Sequence, residues 1–441
     1  MSNFDVIICG AQVVTAEKVA RADIGLAGEK IAAIEQEISG QAREIIDASG
    51  LHVFPGLIDA HVHFNEPGRA DWEGIATGSN AVAAGGGTLF FDMPLNAHPP
   101  TLDAASFELK HAAAAKSSRV DFALWGGLTP ANLDRMEELA DSGVIGFKAF
   151  MCNSGIDDFL FADEATLRAG MKRAAALNLP VAVHAESEAM TSRLARGTTA
   201  RDFMEARPIA AELEAIGRAL ELAGETGCRL HVVHVSCAAG VRLISEARTR
   251  GVDATCETCP HYLVLTDEDV ERLGPIAKSA PPLRSAREQE ALWAELLAGR
   301  ILTVGSDHSP SPPAMKQGSD FFKVWGGISG AQHLLPLLLS READLSLLAR
   351  VTSANVAQRF QLPSAKGKLA VGCDADLALL KLDDNVEIKA GDLFYRHRQS
   401  PYIGLRLRAS VQRTIVRGQT VFQAGRIMGE PSGRLVRAER S

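Results

Sequence analysis

Between residues 53 and 310 the chain repeats one cadence eight times: a short apolar run, then a stretch rich in Ala, Leu and Glu. The runs are HVFPGLIDAHVHF, TLFFDMP, VDFALWGG, VIGFKAFM, PVAVHAES, RLHVVHVSC, VDATCETC and ILTVGSDHS, and between them lie patterns such as DEATLRAGMKRAAALNL and AAELEAIGRALELAGE. The apolar runs are too short for helices and end in turn residues, so they read as strands; the Ala/Leu/Glu stretches have helical spacing. Alternation of this kind makes the strands parallel, each joined to the next by a crossover helix. Eight such units predict closure into a barrel rather than an open sheet. The expected fold class is therefore α/β, with a TIM-like (β/α)8 barrel over residues 53–367.

Outside that block the texture changes. Residues 4–38 and 374–427 carry short strand-like runs broken by Gly turns. Neither flank is large enough to bury a core alone. Residues 1–52 and 368–441 are therefore expected to combine into one smaller, discontinuous β-sandwich domain. The terminal GEPSGRLVRAERS is polar and is expected to be a flexible or docking tail.

The 441 residues carry a net charge of −8 and no dense Lys/Arg block, which excludes a nucleic-acid footprint. No apolar stretch reaches the length of a membrane span. The N-terminal MSNFDVIICGAQ meets an Asp at position 5 and lacks a basic region before an apolar one, unlike a secretory signal. Seven cysteines in no regular framework suggest free thiols, and the expected compartment is the cytoplasm. Cys256 and Cys259 in CETC have no second pair to complete a zinc ribbon and are read as two thiols in or near a strand. Gly85, Gly86 and Gly87 lie between a helix and the next strand, which makes them a helix stop rather than a phosphate cradle.

The strand-like runs share a second property: each begins apolar and ends polar or small. In a (β/α)8 barrel those ends gather at the C-terminal mouth, where barrel chemistry sits. His61 and His63 alternate along one strand and project from the same face. Alone, such a pair is equally a metal site or a hydrogen-bonded pair. His184 and His234 each end a strand at the same mouth, and Asp307 follows the last. A carboxylate buried there needs a partner, and a metal ion is an economical one. His231 should face away from these groups, as a packing residue, and His308 should point away from a bound ion, at best standing behind its ligands. Lys148, between Phe147 and Phe150, falls inside a strand that should be buried, and lysine is rarely buried unpaired. An ion pair with Glu186 or Asp92 is the simpler account from spacing. Alternatively, burial favours a neutral amine, which can take up carbon dioxide as a carbamate and bridge two cations.

The set HVH, buried Lys, two separate strand-end His and a final Asp, in this order over eight β/α units, resembles the amidohydrolase superfamily, and within it the cyclic-amide branch of dihydroorotases, hydantoinases and allantoinases. HVHFNEPGRADWEG, DMPLNAHPPT, GFKAFMCNSGIDDF, ETCPHYL, KSAPPLR, GSDHSP and WGGISG together are most similar to allantoinases. The resemblance implies two divalent metal ions of zinc type, with cobalt, manganese, iron or nickel able to use the same donors. Their ligands would be His61, His63, carbamylated Lys148 (N6-carboxylysine), His184, His234 and Asp307, with Asp307 also the catalytic proton carrier. It implies hydrolysis of a small cyclic amide, allantoin to allantoate, with hydantoin, dihydropyrimidine or dihydroorotate rings as alternatives and a non-catalytic scaffold as a distant one. Dihydroorotases typically carry Arg at the position of Asn65, where it grips a carboxylate; an Asn suits a neutral amide ring. Asn65 and Asn96 are the expected substrate contacts, and either can instead cap a loop. A homo-oligomer, a tetramer by the same resemblance, is expected.

Overall fold

The computed structural model describes residues 3–440. The eight runs form eight strand segments around one ring: Leu57–Val62, Gly87–Asp92, Asp121–Leu124, Phe147–Phe150, Val181–His184, Leu230–Val232, Ala254–Thr258 and Thr303–Val304. All their pairings are parallel. The third strand breaks at Trp125 and resumes as Gly126–Gly127, which pairs with the fourth. The ring closes where His63 N donates to His308 O at 2.7 Å, beside a parallel bridge between Val62 and His308. Apart from Phe150 at the mouth the strands are buried throughout, because helices such as Ala104–Ser117, Glu164–Ala176 and Ile209–Thr226 cover them. This explains why they read as continuous apolar runs rather than alternating ones.

The two flanks join in one nine-stranded sheet running from Asn3 to Pro55 and from Leu377 to Ile427. Its core combines Ile8, Val13, Ile24 and Leu26 from the N-terminal flank with Leu377, Leu379 and Ile415 from the C-terminal one. The first apolar run is divided between the two parts of the molecule. His52–Pro55 pairs in parallel with Asn3–Val14 and antiparallel with Leu377–Glu387, so it belongs to the terminal sheet, and the barrel begins after Gly56. A Cβ at Gly56 would lie 2.2 Å from Thr88 Oγ1, so only glycine lets the chain pass from sheet to barrel here.

The tail docks. Phe122 N donates to Arg434 O and Val436 N to Phe122 O, which adds Leu435 to the third barrel strand on the edge that Leu124, two residues later, offers to Ile145. The tail thus fills that edge below the start of the fourth strand, and Val436 packs among Ile58, Leu89, Phe91 and Trp125. Residues 331–351 form several short helices, and Leu334, Leu335, Leu337, Leu338, Leu347 and Leu348 are buried within the chain. None of the helices among the described residues is long and apolar enough to cross a membrane.

Candidate active site

His61, His63, His184, His234 and Asp307 line one cavity, and Lys148, fully buried on a fifth strand, lies within electrostatic reach of His184, His234 and Asp307. Two of them leave strand geometry to do so: His234 and Asp307 have φ of 42° and 45°. Left-handed backbone is uncommon outside glycine and concentrates at functional sites, where the surrounding fold holds it. Here it turns each side chain inward as its strand ends.

Asp307 Oδ1 lies 3.2 Å from His61 Nε2 and 3.4 Å from His63 Nε2. Across from them, His184 Nδ1 and His234 Nε2 are 3.0 Å apart, and the His61 and His234 ring centroids are separated by 5.4 Å. Lys148 is fully buried and its Nζ has no hydrogen-bond partner; the Phe150 ring is 5.1 Å away. Neither acid that could have paired with it is free. Asp92 takes Lys110 at 2.7 Å, and Glu186 takes Arg207 and His184. The ion-pair account of Lys148 therefore does not hold.

Burial sets the protonation states. It lowers His63 and His184, and lowers His234 well below the usual imidazole value with help from the neighbouring His184, which leaves neutral rings with lone pairs to give. It brings Lys148 down to about 8, with Asp307 and Glu257 limiting the fall. Burial alone would raise Asp307, but His61 and His63 outweigh it and keep the carboxylate ionised. Two buried acids stand behind the imidazoles. Glu257 Oε1 is 2.7 Å from His61 Nδ1, and Glu186 Oε2 is 2.7 Å from His184 Nε2. Despite burial, His61 holds Glu257 at about 2, and Arg207 with His184 holds Glu186 at about 2. As carboxylates they accept the back N–H of each ring, which turns His61 Nε2 and His184 Nδ1 towards the cavity.

The other expected residues fall as follows. His231 packs against Phe360 and bonds Thr255 Oγ1 at 2.8 Å. His308 accepts from Gly330 N at 3.1 Å and sits against Phe64 and Tyr395. Asn96 lines the cavity with its amide nitrogen 3.3 Å from His63 Nδ1, and an amide can meet that atom with either end. Asn65 does not line it. Its backbone turns with φ 65° and its amide donates to Pro310 O at 3.3 Å, so it ties two mouth loops together instead. The cavity, about 280 Å³, also has Phe150, Asn153, Ser279, Ser309 and Trp325 in its walls.

Imidazoles, a carboxylate and an unpaired buried amine that could carry a carbamate fit divalent cations of zinc type. His61, His63 and Asp307 place a ligand atom each within 4.8 Å of one another, and so do Cys152, His184 and Glu186.

Residues 52–421 match the Amidohydrolase family. The chain belongs to that family. This amidohydrolase is 55% identical to a protein named allantoinase from Rubrobacter xylanophilus, over 100% of this chain and 99% of that one. It is 51% identical to proteins of the same name from Solibacter usitatus and Deinococcus radiodurans, with 96–99% of each chain covered. Among solved structures it resembles an L-hydantoinase (dihydropyrimidinase) from Arthrobacter aurescens, with a TM-score of 0.96 and 36% identity over 98% of this chain and 100% of that one. A dihydropyrimidinase from Brevibacillus agri follows at 0.92 and 31%, over 99% of both chains.

Sequence reasoning missed Glu257 and Arg207 as parts of the site and took Glu186 only as a possible partner of Lys148. Glu186 was within reach, since it follows His184 by two residues; Glu257 was hidden inside CETC, and no local pattern marks Arg207.

Proposed function

We propose that this chain opens the hydantoin ring of allantoin by hydrolysis, giving allantoate. The observation that carries the reading is the facing of His61, His63 and Asp307 with His184 and His234 beside a buried lysine that no acid neutralises. The full-length relatives named allantoinase support the substrate, and the hydantoinase neighbours support ring-amide hydrolysis as the reaction class. Two zinc-type cations would be held by His61, His63, Lys148 as its carbamate, His184, His234 and Asp307. When bound, they supply Lewis acidity to the ring carbonyl and acidify water.

The chain's own groups do the rest. Asp307, ionised and at the meeting point of His61 and His63, accepts the proton of the attacking water and returns it to the departing ring nitrogen. Glu257 and Glu186 hold the imidazole rings in orientation, so no reorganisation accompanies the reaction. Asn96 offers the ring an amide that can donate or accept, as suits a neutral substrate. At about 280 Å³ the cavity lies at the small end of ligand pockets, in keeping with a single small ring and its substituent. The seven free cysteines support a reducing cytoplasm as the working compartment, and we propose a homotetramer on the family resemblance.

The test is to purify the protein, count its metals and compare turnover of allantoin, hydantoin and dihydroorotate. Two metals per chain and preference for allantoin are expected. Turnover of either other ring far above allantoin overturns the substrate; full turnover without metal overturns the mechanism.

A further inference from the structure

The carboxylate behind His184 differs from the one behind His61. Glu257 has no cation against it: its second oxygen lies 4.0 Å from His231 Nε2 and accepts no hydrogen bond. Glu186 does. Arg207 Nη1 donates to Glu186 Oε2 at 2.5 Å, the same oxygen that faces His184 Nε2 at 2.7 Å. Arg207 arrives from the short link between the Ala200–Glu205 and Ile209–Thr226 helices, and its guanidinium rests 5.4 Å above the Phe203 ring.

The connection continues past Arg207. Its backbone carbonyl accepts Arg284 Nη1 at 2.6 Å. Arg284 in turn donates to Ser236 Oγ at 2.9 Å and to Glu212 Oε2 at 3.1 Å. Glu212 Oε1 accepts Ser236 N at 2.8 Å, two residues beyond His234. One hydrogen-bonded path therefore runs from the His184 ring through Glu186, Arg207 and Arg284 to the strand end that carries His234. Every member is buried or nearly so, with side-chain exposures of 0% for Glu186, 19% for Arg207, 9% for Arg284 and 2% for Glu212. Buried charges of this kind persist only when paired and hydrogen-bonded, and removing one partner leaves the other exposed to the full cost of burial.

We propose that Arg207 is a positioning residue for the cation-binding half built by His184 and His234. Through Glu186 its side chain keeps His184 Nδ1 turned towards His234 Nε2; the link to Arg284 and the turn of His234 runs through its backbone carbonyl, which any residue at 207 supplies. The inference rests on the metal-dependent reading above. It assigns no such role to Arg207 for His61 and His63: Glu257, behind His61, has no arginine against it, and His63 Nδ1 faces the Asn96 amide. Arg207 also lines the cavity, so the rival role is a direct substrate contact.

The experiment uses full-length wild-type enzyme with Arg207→Met, Arg207→Lys and Glu186→Gln, each stripped and titrated with cobalt(II) in bicarbonate. Bound metal per chain, the cobalt visible spectrum, kcat and KM for allantoin are read together. We expect Arg207→Met to bind its first equivalent within twofold of wild type and its second about 10–100-fold more weakly, the usual range for loss of a group behind a metal-binding histidine. The band of the second cobalt should shift, KM should stay within threefold, and Arg207→Lys should recover most of the second affinity. Glu186→Gln should reproduce the second-equivalent loss, which keeps the test alive should Arg207→Met fail to fold. Wild-type affinity for both equivalents with a raised KM makes Arg207 a substrate contact and overturns the proposal. Equal weakening of both equivalents overturns it too. A wild-type enzyme that binds no cobalt overturns the metal-dependent reading itself, and this inference with it.

Discussion

Replacing Lys366 by Met should weaken the joint between the barrel and the terminal sheet without touching the active site. Lys366 Nζ lies 2.7 Å from Asp121 at the start of the third barrel strand, and 2.9 and 2.8 Å from Asp374 and Asp376 at the start of the C-terminal flank. Asp121 keeps Arg417 and Asp374 keeps Lys30 when Lys366 is lost. Asp376 is left with the Arg417 backbone N–H at 2.8 Å, and burial already raises its pKa with the lysine present. Breaking a buried pair by removing one partner costs about 3–5 kcal/mol, and the partners retained by the other two acids favour the lower end, about 3 kcal/mol. At about 2.1 cal/mol/K per residue, unfolding 441 residues carries an entropy of about 0.9 kcal/mol/K, so the loss corresponds to about 3 °C in Tm. Calorimetry at a matched scan rate measures it. Adding Asp376→Asn removes the stranded charge, so the double variant should recover about 1–2 kcal/mol of the loss. Burial would lower the Lys366 pKa, but Asp376 and Asp121 more than offset it and raise it. Its contribution is therefore complete below the unfolded lysine value of about 10.4 and is lost as pH climbs past that towards the folded value. The Tm gap should hold through neutral pH and close above about pH 10.5. A shift under 1 °C, or strictly additive single and double variants, would refute the idea that this cluster fastens the joint.

Lys148→Ala should lose bound metal and allantoin turnover together, with metal falling from about two per chain to one or fewer by atomic emission; a variant that keeps both ions and full rate ends the carbamate reading. Truncation after Ile427 removes Val436 from its cluster and Leu435 from the third strand, and burial of one valine side chain, about 1.5–3 kcal/mol, predicts a Tm lower by about 2–3 °C with turnover at 25 °C preserved. Unchanged Tm would mean the tail adds nothing to the fold. Asn96→Ala should leave metal content intact while kcat/KM for allantoin drops about five- to tenfold, the scale of one hydrogen bond near 1 kcal/mol; metal loss instead would make Asn96 a support for His63 alone.

The barrel was legible because parallel strands covered on both faces must be apolar from end to end, and such runs stand out when helices separate them. The joint at Gly56 was not, because HVFP and LIDAHV are equally apolar and only their hydrogen-bond partners, in Leu377–Glu387 and in Gly87–Asp92, tell them apart. The tail left two outcomes open, flexible or docked, and the structure has the docked one. GEPSGRLVRAERS looks polar, yet one valine and a few arginines suffice to dock it, since Arg434 meets Glu29 and its backbone meets Asp121.

At the active site the same contrast recurs at finer scale. A histidine ending a strand is visible as a pattern, because strand period fixes which side chains share a face. What orients that histidine is not, because the partner comes from wherever the fold brings an acid near. His184 and Glu186 share a strand end, so that pair could be read two residues apart; His61 and Glu257 are 196 residues apart, and no spacing rule links them. Asn65 carried two readings, a substrate contact or a loop cap. Its position after HVHF suggested a substrate contact, but its left-handed backbone at φ 65° directs the amide to Pro310, and Asn96 lines the cavity instead. The gathering of strand-end histidines at one mouth therefore followed from alternation along strands, whereas tautomers, counter-ions and cavity-wall residues depended on loops and backbone reversals that apolar periodicity does not encode.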